Sequence, residues 1–127
     1  ESIEFCRELK LRGCDFIDVS SGGNSPRQKI DSGPGYQTGF ACQIKQSTGL
    51  KTIAVGQITE PKQAELILRT NQADMVAIAR SMLLNPRWAW NAAEVLDDNV
   101  AYAPQYMRSS KSLRGLPIPG NPPPQKS

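Results

Sequence analysis

The sequence predicts an α/β fold built around a parallel sheet. Three nearly continuous apolar runs, "CDFIDVSSGG", "KTIAVGQ" and "ADMVAIAR", are typical of strands that are covered on both faces. Segments with helical periodicity lie between these runs, and parallel strands need such crossovers. The 127 residues are therefore expected to form one domain, with one helix followed by three strand and helix units.

The N-terminal segment "ESIEFCRELK" predicts the first helix, with Ser2 as its cap. Phe5, Cys6 and Leu9 recur at helical spacing and are expected on one face of this helix. Gly13 is expected to end the helix, just before the first strand. Because the sequence opens inside this helix and without a methionine, we expect the chain to be a piece of a longer protein.

A second helix is expected over residues 36–46, between the first two strands. Phe40 and Ile44 are one turn apart and form its apolar face, and Gly49 terminates it. The stretch before it, residues 22–35, is long and polar. It follows the first strand, where loops of parallel α/β folds contact ligands, so it is interpreted either as a substrate-facing loop or as a mobile surface excursion.

Two more helices are expected after the second and third strands. Thr59 is predicted to cap the third helix, with Pro61 in its first turn. Asn85 is predicted to cap the fourth helix, with Pro86 in its first position. The apolar faces of these helices are expected to consist of seven residues: Ala64, Ile67 and Leu68 in the third, and Trp88, Ala92, Val95 and Leu96 in the fourth.

Composition excludes several classes of function. The chain contains no histidine, which removes every mechanism in which an imidazole of this chain is an acid, a base or a metal ligand. Cys6, Cys14 and Cys42 lack the spacing of a zinc site, so no metal is expected, and they are interpreted as reduced thiols of a cytoplasmic protein. The net charge of +3 comes from scattered basic residues, which predicts no nucleic-acid partner. No apolar run approaches the roughly 20 residues of a membrane span, and no signal peptide is visible.

Each predicted strand ends in a stretch that contains small residues: Ser20, Ser21 and Gly22 in the first, Gly56 and Gln57 in the second, and Ala79, Arg80 and Ser81 in the third. Small residues let a ligand approach the backbone and bind its N–H groups, and a guanidinium beside them grips two phosphate oxygens. This combination is what the phosphate site after the last two strands of a (β/α)8 barrel requires, so Arg80 is expected to hold an anion. The alternative is that Arg80 pairs with a carboxylate at the rim for structural reasons alone.

Five segments together resemble the C-terminal part of FMN oxidoreductases of the Old Yellow Enzyme type: "DFIDVSSGG", "PGYQTGFACQIK", "TIAVGQITEPKQAELIL", "ADMVAIARSMLLNPRWAWNAA" and "APQYMR". The resemblance is greatest to the branch of NADPH dehydrogenases and ene-reductases called thermophilic-like, and it covers residues 1–108. It implies that the chain supplies strands six to eight, with their helices, of a (β/α)8 TIM barrel with FMN at its mouth. Residues 109–127 would then form a proline-rich tail.

The resemblance also implies which residues bind the cofactor. Six residues match FMN-binding positions of the family: Ser20, Val55, Gly56, Gln57, Ala79 and Arg80. Ala79 stands where many relatives have glycine, but alanine keeps the N–H available. Arg108 matches an arginine that reaches into the active site of a neighbouring subunit. The glycine and tryptophan that often follow that arginine are missing here, so Arg108 is interpreted either as an intersubunit or substrate-binding residue or as a solvated arginine near a flexible tail.

The activity implied by the resemblance is reduction of a small-molecule activated alkene, with NADPH or NADH as the hydride donor, by a homo-oligomeric enzyme. The family's residues that bind the substrate carbonyl, donate the proton and tune the flavin belong to the N-terminal two thirds of the barrel, so no catalytic residue is expected in this chain. Two alternatives stay open. One is a catalytically inactive, truncated fragment that self-associates through its free strand edges. The other is a different phosphate-binding TIM barrel, acting on a sugar phosphate or nucleotide.

Overall fold

The computed structural model describes residues 1–110, which form a three-stranded sheet, five α-helices and one 3₁₀ helix. The helices are Ser2–Leu11 (α1), Thr38–Thr48 (α2), Pro61–Arg69 (α3), Arg80–Leu84 (α4) and Trp88–Val95 (α5), and the 3₁₀ helix is Pro104–Ser109. The strands are Phe16–Val19 (β1), Lys51–Ala54 (β2) and Met75–Val76 (β3). None of the helices in this part of the chain is both long and apolar enough to cross a bilayer. Most of the predicted proline-rich tail lies outside the described residues.

The three strands are parallel and adjacent, in the order β1-β2-β3. Phe16 pairs with Lys51 at one end of the first ladder, and Val19 pairs with Ala54 at the other. The connection from β1 to β2 contains α2, and the connection from β2 to β3 contains α3. The predicted α/β class and parallel sheet are thus confirmed, and the C-terminal ends of all three strands meet at one edge of the sheet.

The two faces of the sheet differ in burial, because successive side chains of a strand point to opposite faces. Val19, Thr52 and Ala54 lie on one face and are buried. Phe16 and Met75 lie on the other face and are 53% and 37% exposed. The expectation that both faces are covered is therefore wrong within residues 1–110. A continuous apolar run indicates that both faces avoid water, but it does not say which part of a protein covers each of them.

The core lies between the buried face of the sheet and the helices. Within residues 1–110 the core cluster consists of Cys6, Val19, Ala41, Ile44, Leu50, Ala54, Ile58, Ala64, Ile67 and Ala73. Trp88 is partly buried against this cluster and attaches α5 to it. Fully burying an isoleucine or leucine side chain contributes about 1.5–3 kcal/mol to the free energy of unfolding. The cluster contains four such residues, Ile44, Leu50, Ile58 and Ile67, and their burial accounts for much of the stability of the fold.

The caps predicted for the first and third helices are wrong by one residue. Ser2 is the first residue of α1, whose N-cap is Glu1. The N-cap of α3 is Glu60, and Thr59 precedes it. The Thr59 N–H instead donates to Oε1 of Gln63 at 3.0 Å, so a side chain inside the helix reaches back to the loop. Pattern alone does not reveal such a contact from within the helix.

The third strand is shorter than predicted. The prediction covers residues 73–80, but β3 has only two residues and Arg80 already begins α4. The Ala77 N–H still donates to the Ala54 carbonyl at 2.8 Å, so the backbone runs beside β2 past the end of the strand. Arg80 consequently follows the strand as expected, but as the first residue of a short helix that the apolar pattern does not predict.

The last helix begins later than predicted. Its first residue is Trp88, not Pro86. Oδ1 of Asn85 accepts a hydrogen bond from the Arg87 N–H at 3.0 Å. Asn85 therefore caps the turn that contains Pro86, and the helix starts further along the chain.

Helical periodicity predicts the centres of the buried stripes but not their width. Five of the predicted positions are buried: Cys6, Ile44, Ala64, Ile67 and Ala92. Leu68, Val95 and Leu96 are exposed, contrary to the prediction, and Phe5 and Phe40 of the other two apolar faces are exposed as well. α2 and α3 pack on the strands, whereas α1 packs on α2 and α5 packs on α3, so only a narrow stripe of each helix is covered.

Candidate functional site

A cleft of about 490 Å³ lies at the C-terminal ends of β2 and β3. The residues that follow β2 and those that follow β3 line it together, because the two strands are parallel neighbours. The lining includes five residues of the predicted phosphate site: Val55, Gly56, Gln57, Ala79 and Arg80. The structure thus brings these five residues around one cavity.

Gly56 adopts a backbone conformation that favours glycine, with φ of +114°. A Cβ atom at this position would lie 2.7 Å from Nε2 of Gln37 and 2.8 Å from Cε1 of Tyr36. Both distances are shorter than Cβ contacts in real proteins. Any side chain at residue 56 would therefore displace the wall of the cleft as well as strain the backbone.

Two hydrogen bonds orient the peptide groups on either side of Gly56. Nε2 of Gln37 donates to the Val55 carbonyl at 3.2 Å, and the Gly35 N–H donates to the Gly56 carbonyl at 3.0 Å. In a trans peptide the N–H points opposite to the carbonyl. The N–H groups of Gly56 and Gln57 are therefore turned away from these partners. Neither N–H donates to an acceptor within residues 1–110, so both remain available as donors.

Arg80 is exposed at the cleft and forms no ion pair with a carboxylate of residues 1–110. The ion pairs of this part of the chain lie elsewhere: Arg7–Glu4, Arg12–Glu8, Lys45–Asp74 and Arg69–Glu65. The alternative of a structural rim pair for Arg80 is therefore not observed in the described residues. A guanidinium without a carboxylate partner in the described residues, in the same cleft as Gly56 and Gln57, favours an anionic ligand that offers several oxygens.

Residues from α3 and α5 brace the far wall of the cleft. Nε2 of Gln63 donates to the Gln57 carbonyl at 3.1 Å. The indole N–H of Trp88 donates to the Thr59 carbonyl at 2.8 Å. These bonds hold a segment in which Gln57 has φ of +49°, a left-handed conformation that is uncommon for a residue with a side chain. The loop after β2 is thus fixed from several sides.

Two residues of the cleft, Tyr36 and Gln37, belong to a segment that carries the family resemblance but are not among the predicted site residues. Gln37 is 3% exposed, and its Oε1 accepts a hydrogen bond from the Ser21 N–H. A single buried amide ahead of a helix leaves no periodic pattern. The one available signal is Gly35, whose φ of +69° turns the chain just before the helix.

Ser20 lies in a second cleft, of about 530 Å³, beside α1 and β1. Apolar side chains such as Ile17 and Phe40 contribute to its walls. Ser20 does not line the cleft of Arg80. The link between the two clefts is Gln37, which lines one of them and accepts a hydrogen bond from the residue after Ser20 in the other.

Arg108 is exposed on the 3₁₀ helix and does not line the cleft of Arg80. Aromatic contacts hold its segment against α5. The Arg87 guanidinium lies 5.1 Å from the ring centre of Trp90 and 4.6 Å from that of Tyr106, and the two rings are 5.5 Å apart. Cation–π contacts of this kind contribute about 0.5–1 kcal/mol at exposed sites.

Known proteins match most of this chain. A family model described as "NADH:flavin oxidoreductase / NADH oxidase family" matches residues 7–99. Three NADPH dehydrogenases are similar to this chain over the matched residues. Those of Geobacillus sp. strain WCH70, Geobacillus thermodenitrificans and Listeria innocua are 43%, 41% and 40% identical to this chain. These matches cover 84%, 84% and 87% of this chain but 31%, 31% and 32% of the relatives. The chain therefore spans about a third of the length of the relatives it matches.

The family match includes all three strands and every residue of the cleft. The resemblance to FMN oxidoreductases of the Old Yellow Enzyme type is thereby confirmed. This chain belongs to the NADH:flavin oxidoreductase / NADH oxidase family.

Proposed function

We propose that this chain is part of an FMN-dependent NAD(P)H oxidoreductase and supplies the site for the phosphate of FMN. Membership of the flavin oxidoreductase family supports the cofactor, and the NADPH dehydrogenase names of the relatives support the hydride donor. One observation carries the assignment. Arg80 lines the same cleft as Gly56 and Gln57, and within residues 1–110 its guanidinium has no carboxylate partner and their N–H groups have no acceptor.

The groups around the cleft fit a phosphate. Hydrogen bonds between charged and neutral groups contribute about 1.5–3 kcal/mol each, and the guanidinium and the two N–H groups offer several of them. No Asp or Glu of residues 1–110 lines the cleft, so an anion meets no like charge there. The absence of a side chain at Gly56 leaves its backbone open to the ligand.

When bound, FMN would supply the redox chemistry, in which a hydride from NADPH or NADH reaches an activated alkene. The residues of this chain would bind and orient the cofactor. Arg80, Ala79 and the N–H groups after β2 would fix its phosphate end, and Ser20 would lie nearer the flavin. Fixing one end of a cofactor reduces the orientations that its reactive end can adopt.

We also propose that the chain provides strands six to eight of a (β/α)8 barrel. The adjacent parallel strands and the helices that pack on one face of them support this placement. The exposed Phe16 and Met75 support it as well, because the inward face of a barrel strand is covered by the other strands. We place the enzyme in the cytoplasm, where the free Cys6, Cys14 and Cys42 would stay reduced. Arg108 is proposed to contact substrate from a neighbouring subunit of a homo-oligomer.

Binding of FMN and of riboflavin, which lacks the phosphate, tests the site. The native protein is titrated with each flavin, and flavin fluorescence is followed. We expect wild type to prefer FMN, and Arg80→Met to weaken FMN binding roughly 10- to 100-fold with little effect on riboflavin. The matched control is Arg69→Met, because Arg69 is an exposed arginine of α3 whose partner is Glu65. Equal affinity of wild type for the two flavins contradicts the proposal.

A second candidate function is that of an inactive fragment that persists by self-association. Phe16 and Met75 are exposed, and the outer edges of β1 and β3 pair with no further strand of residues 1–110, which favours this candidate. Light scattering during size-exclusion chromatography of the 127-residue chain tests it. A stable monomer that binds no flavin excludes this candidate and the first one for the isolated chain.

A further inference from the structure

Gln37 is a buried residue whose side-chain amide joins two strand ends. It is 3% exposed. Its Oε1 accepts a hydrogen bond from the Ser21 N–H after β1, and its Nε2 donates to the Val55 carbonyl after β2. Losing either bond would leave a buried polar group without a partner, which is costly. Gln37 thus connects the end of β1, where Ser20 lies, to the cleft that contains Arg80.

The bond to Val55 also determines where the Gly56 N–H points. The Val55 carbonyl and the Gly56 N–H belong to one trans peptide, so they point in opposite directions. Gln37 holds the carbonyl on its own side, which turns the N–H away from it. Glycine restricts its own backbone least of all residues, and without this bond the peptide would be free to reorient.

We propose that Gln37 is the positioning residue of the phosphate site. This inference rests on the proposed function. Gln37 holds the Gly56 N–H in the orientation that binds the phosphate of FMN. Through its bond with Ser21 it also makes the end of β1 respond to the presence of the phosphate. It performs both tasks through other groups and need not contact the phosphate itself.

Gln63 offers a matched control. Its amide makes the same two kinds of bond, because Nε2 donates to the Gln57 carbonyl at 3.1 Å and Oε1 accepts from the Thr59 N–H at 3.0 Å. The Gln57 carbonyl belongs to the peptide of Ile58, whose N–H is not a proposed phosphate donor. Replacing either glutamine with methionine removes two hydrogen bonds at similar volume, but only the change at Gln37 releases a proposed donor.

The test compares FMN with riboflavin in the native protein. The readout is the ratio of the two dissociation constants, because general loosening of the fold weakens both flavins alike. We expect Gln37→Met to reduce the preference for FMN roughly tenfold while riboflavin affinity stays near wild type. Gln63→Met also loosens the loop after β2 but leaves the Val55–Gly56 peptide held by Gln37, so it is expected to keep more of the preference than Gln37→Met does. A Gln37→Met protein that retains the full preference for FMN overturns the inference.

Arg80→Met, measured in the same way, separates failure of this inference from failure of the proposed function. If wild type binds both flavins equally, the phosphate site is wrong and the role of Gln37 falls with it. If Arg80→Met loses the preference while Gln37→Met keeps it, the phosphate site stands and only the role of Gln37 is rejected.

A titration of the wild-type protein with inorganic phosphate tests the same coupling without a substitution that could impair folding. Backbone and side-chain amide signals are followed by NMR. We expect the backbone amide of Gly56 and the side-chain amide of Gln37 to shift with one common dissociation constant. A shift of the Gly56 signal without a shift of the Gln37 signal overturns the coupling.

Discussion

Nζ of Lys45 lies 3.0 Å from Oδ1 of Asp74, and this ion pair ties α2 to the residue that precedes β3. The other carboxylate oxygen of Asp74 accepts a hydrogen bond from the Thr52 N–H at 2.9 Å. Partial burial raises the pKa of Asp74, but the hydrogen bond from Thr52 and the charges of Lys45 and Lys51 outweigh it. The net effect holds the pKa below its ordinary value of 3.8.

Asp74→Asn should therefore destabilise the protein in a pH-dependent way. A carboxyl whose pKa is lower in the native state stabilises the fold above its ordinary pKa, and this contribution is lost as the pH falls from 3.8 through the native value. Asparagine keeps an acceptor for Thr52 but removes the charge. We expect the variant to lower the free energy of unfolding at about pH 7 and to approach wild type at about pH 2. Urea unfolding at both pH values measures the gap.

The control for this prediction is Glu65→Gln. Glu65 pairs with Arg69 within α3 at 2.7 Å, and the arginine is exposed. Surface pairs of this kind contribute about 0.3–0.5 kcal/mol, so little change is expected at either pH. A gap for Asp74→Asn that is the same at both pH values would show that the charge of Asp74 does not stabilise the fold.

Gly56→Ala is expected to damage both the fold and the flavin site. Alanine at φ of +114° is strained, and its Cβ would lie within 2.8 Å of both Gln37 and Tyr36. We expect a loss of about 1–3 kcal/mol in the free energy of unfolding and weaker binding of FMN. Thermal unfolding and the flavin titration measure the two effects. Gly39→Ala is the control, because Gly39 lies in α2 and a Cβ atom added to it would have no neighbour within 4 Å.

The control substitution should have the opposite sign. Alanine is favoured over glycine in a helix by about 0.5–1 kcal/mol, so Gly39→Ala is expected to stabilise the protein. If both substitutions change stability by the same amount and sign, the special conformation of Gly56 is not important for the fold.

Thr52→Val should leave stability unchanged or raise it by about 1 kcal/mol. Thr52 is fully buried in β2, and its Oγ1 has no hydrogen-bond partner within residues 1–110. Valine has nearly the same shape and removes the unsatisfied hydroxyl. Thr52→Ser, which keeps the hydroxyl and deletes the methyl group, is expected to cost about 1 kcal/mol. Urea unfolding decides, and a clear loss for valine would mean that the hydroxyl has a partner.

Cys6 should be the slowest of the three thiols to react with iodoacetamide. Burial raises the pKa of the Cys6 thiol, and the nearby Cys14 raises it further, so less of the reactive thiolate is present. Cys6 is also 2% exposed, whereas Cys14 and Cys42 are partly accessible. Mass spectrometry of peptides after timed alkylation gives the order. Unfolding in urea should abolish the difference, and labelling of native Cys6 first would contradict the structure.

The sequence predicts the alternation of strands and helices, and the group of residues around the cleft. It predicts less well the residues at which each strand and helix begins and ends. Gly56 and Arg80 could be found because both follow apolar runs, and parallel topology brings such positions together. The sequence could not exclude Thr59 as the cap of α3. In the structure the Thr59 N–H is bound by the side chain of Gln63, which lies four residues further on. The local sequence pattern does not determine which of the two adjacent polar residues, Thr59 or Glu60, is the N-cap.

Gln37 shows a second limit. Its importance in the structure comes from partners at Ser21 and Val55, which are 16 and 18 residues away in the sequence. A single glutamine before a helix looks like any solvated residue until the two strand ends are placed next to each other. The same reason applies to Phe5 and Phe40, which are exposed because no surface of residues 1–110 covers them, and their own helices do not specify such a surface.

The exposed face of the sheet affects the solubility of the isolated chain. Phe16 and Met75 expose apolar surface to water, and contact with another apolar surface lowers the free energy by removing this surface from water. This hydrophobic attraction weakens on cooling and is stronger in the presence of sulfate and similar salts. Solutions of the isolated chain should therefore stay clear longest when they are cold, dilute and free of sulfate.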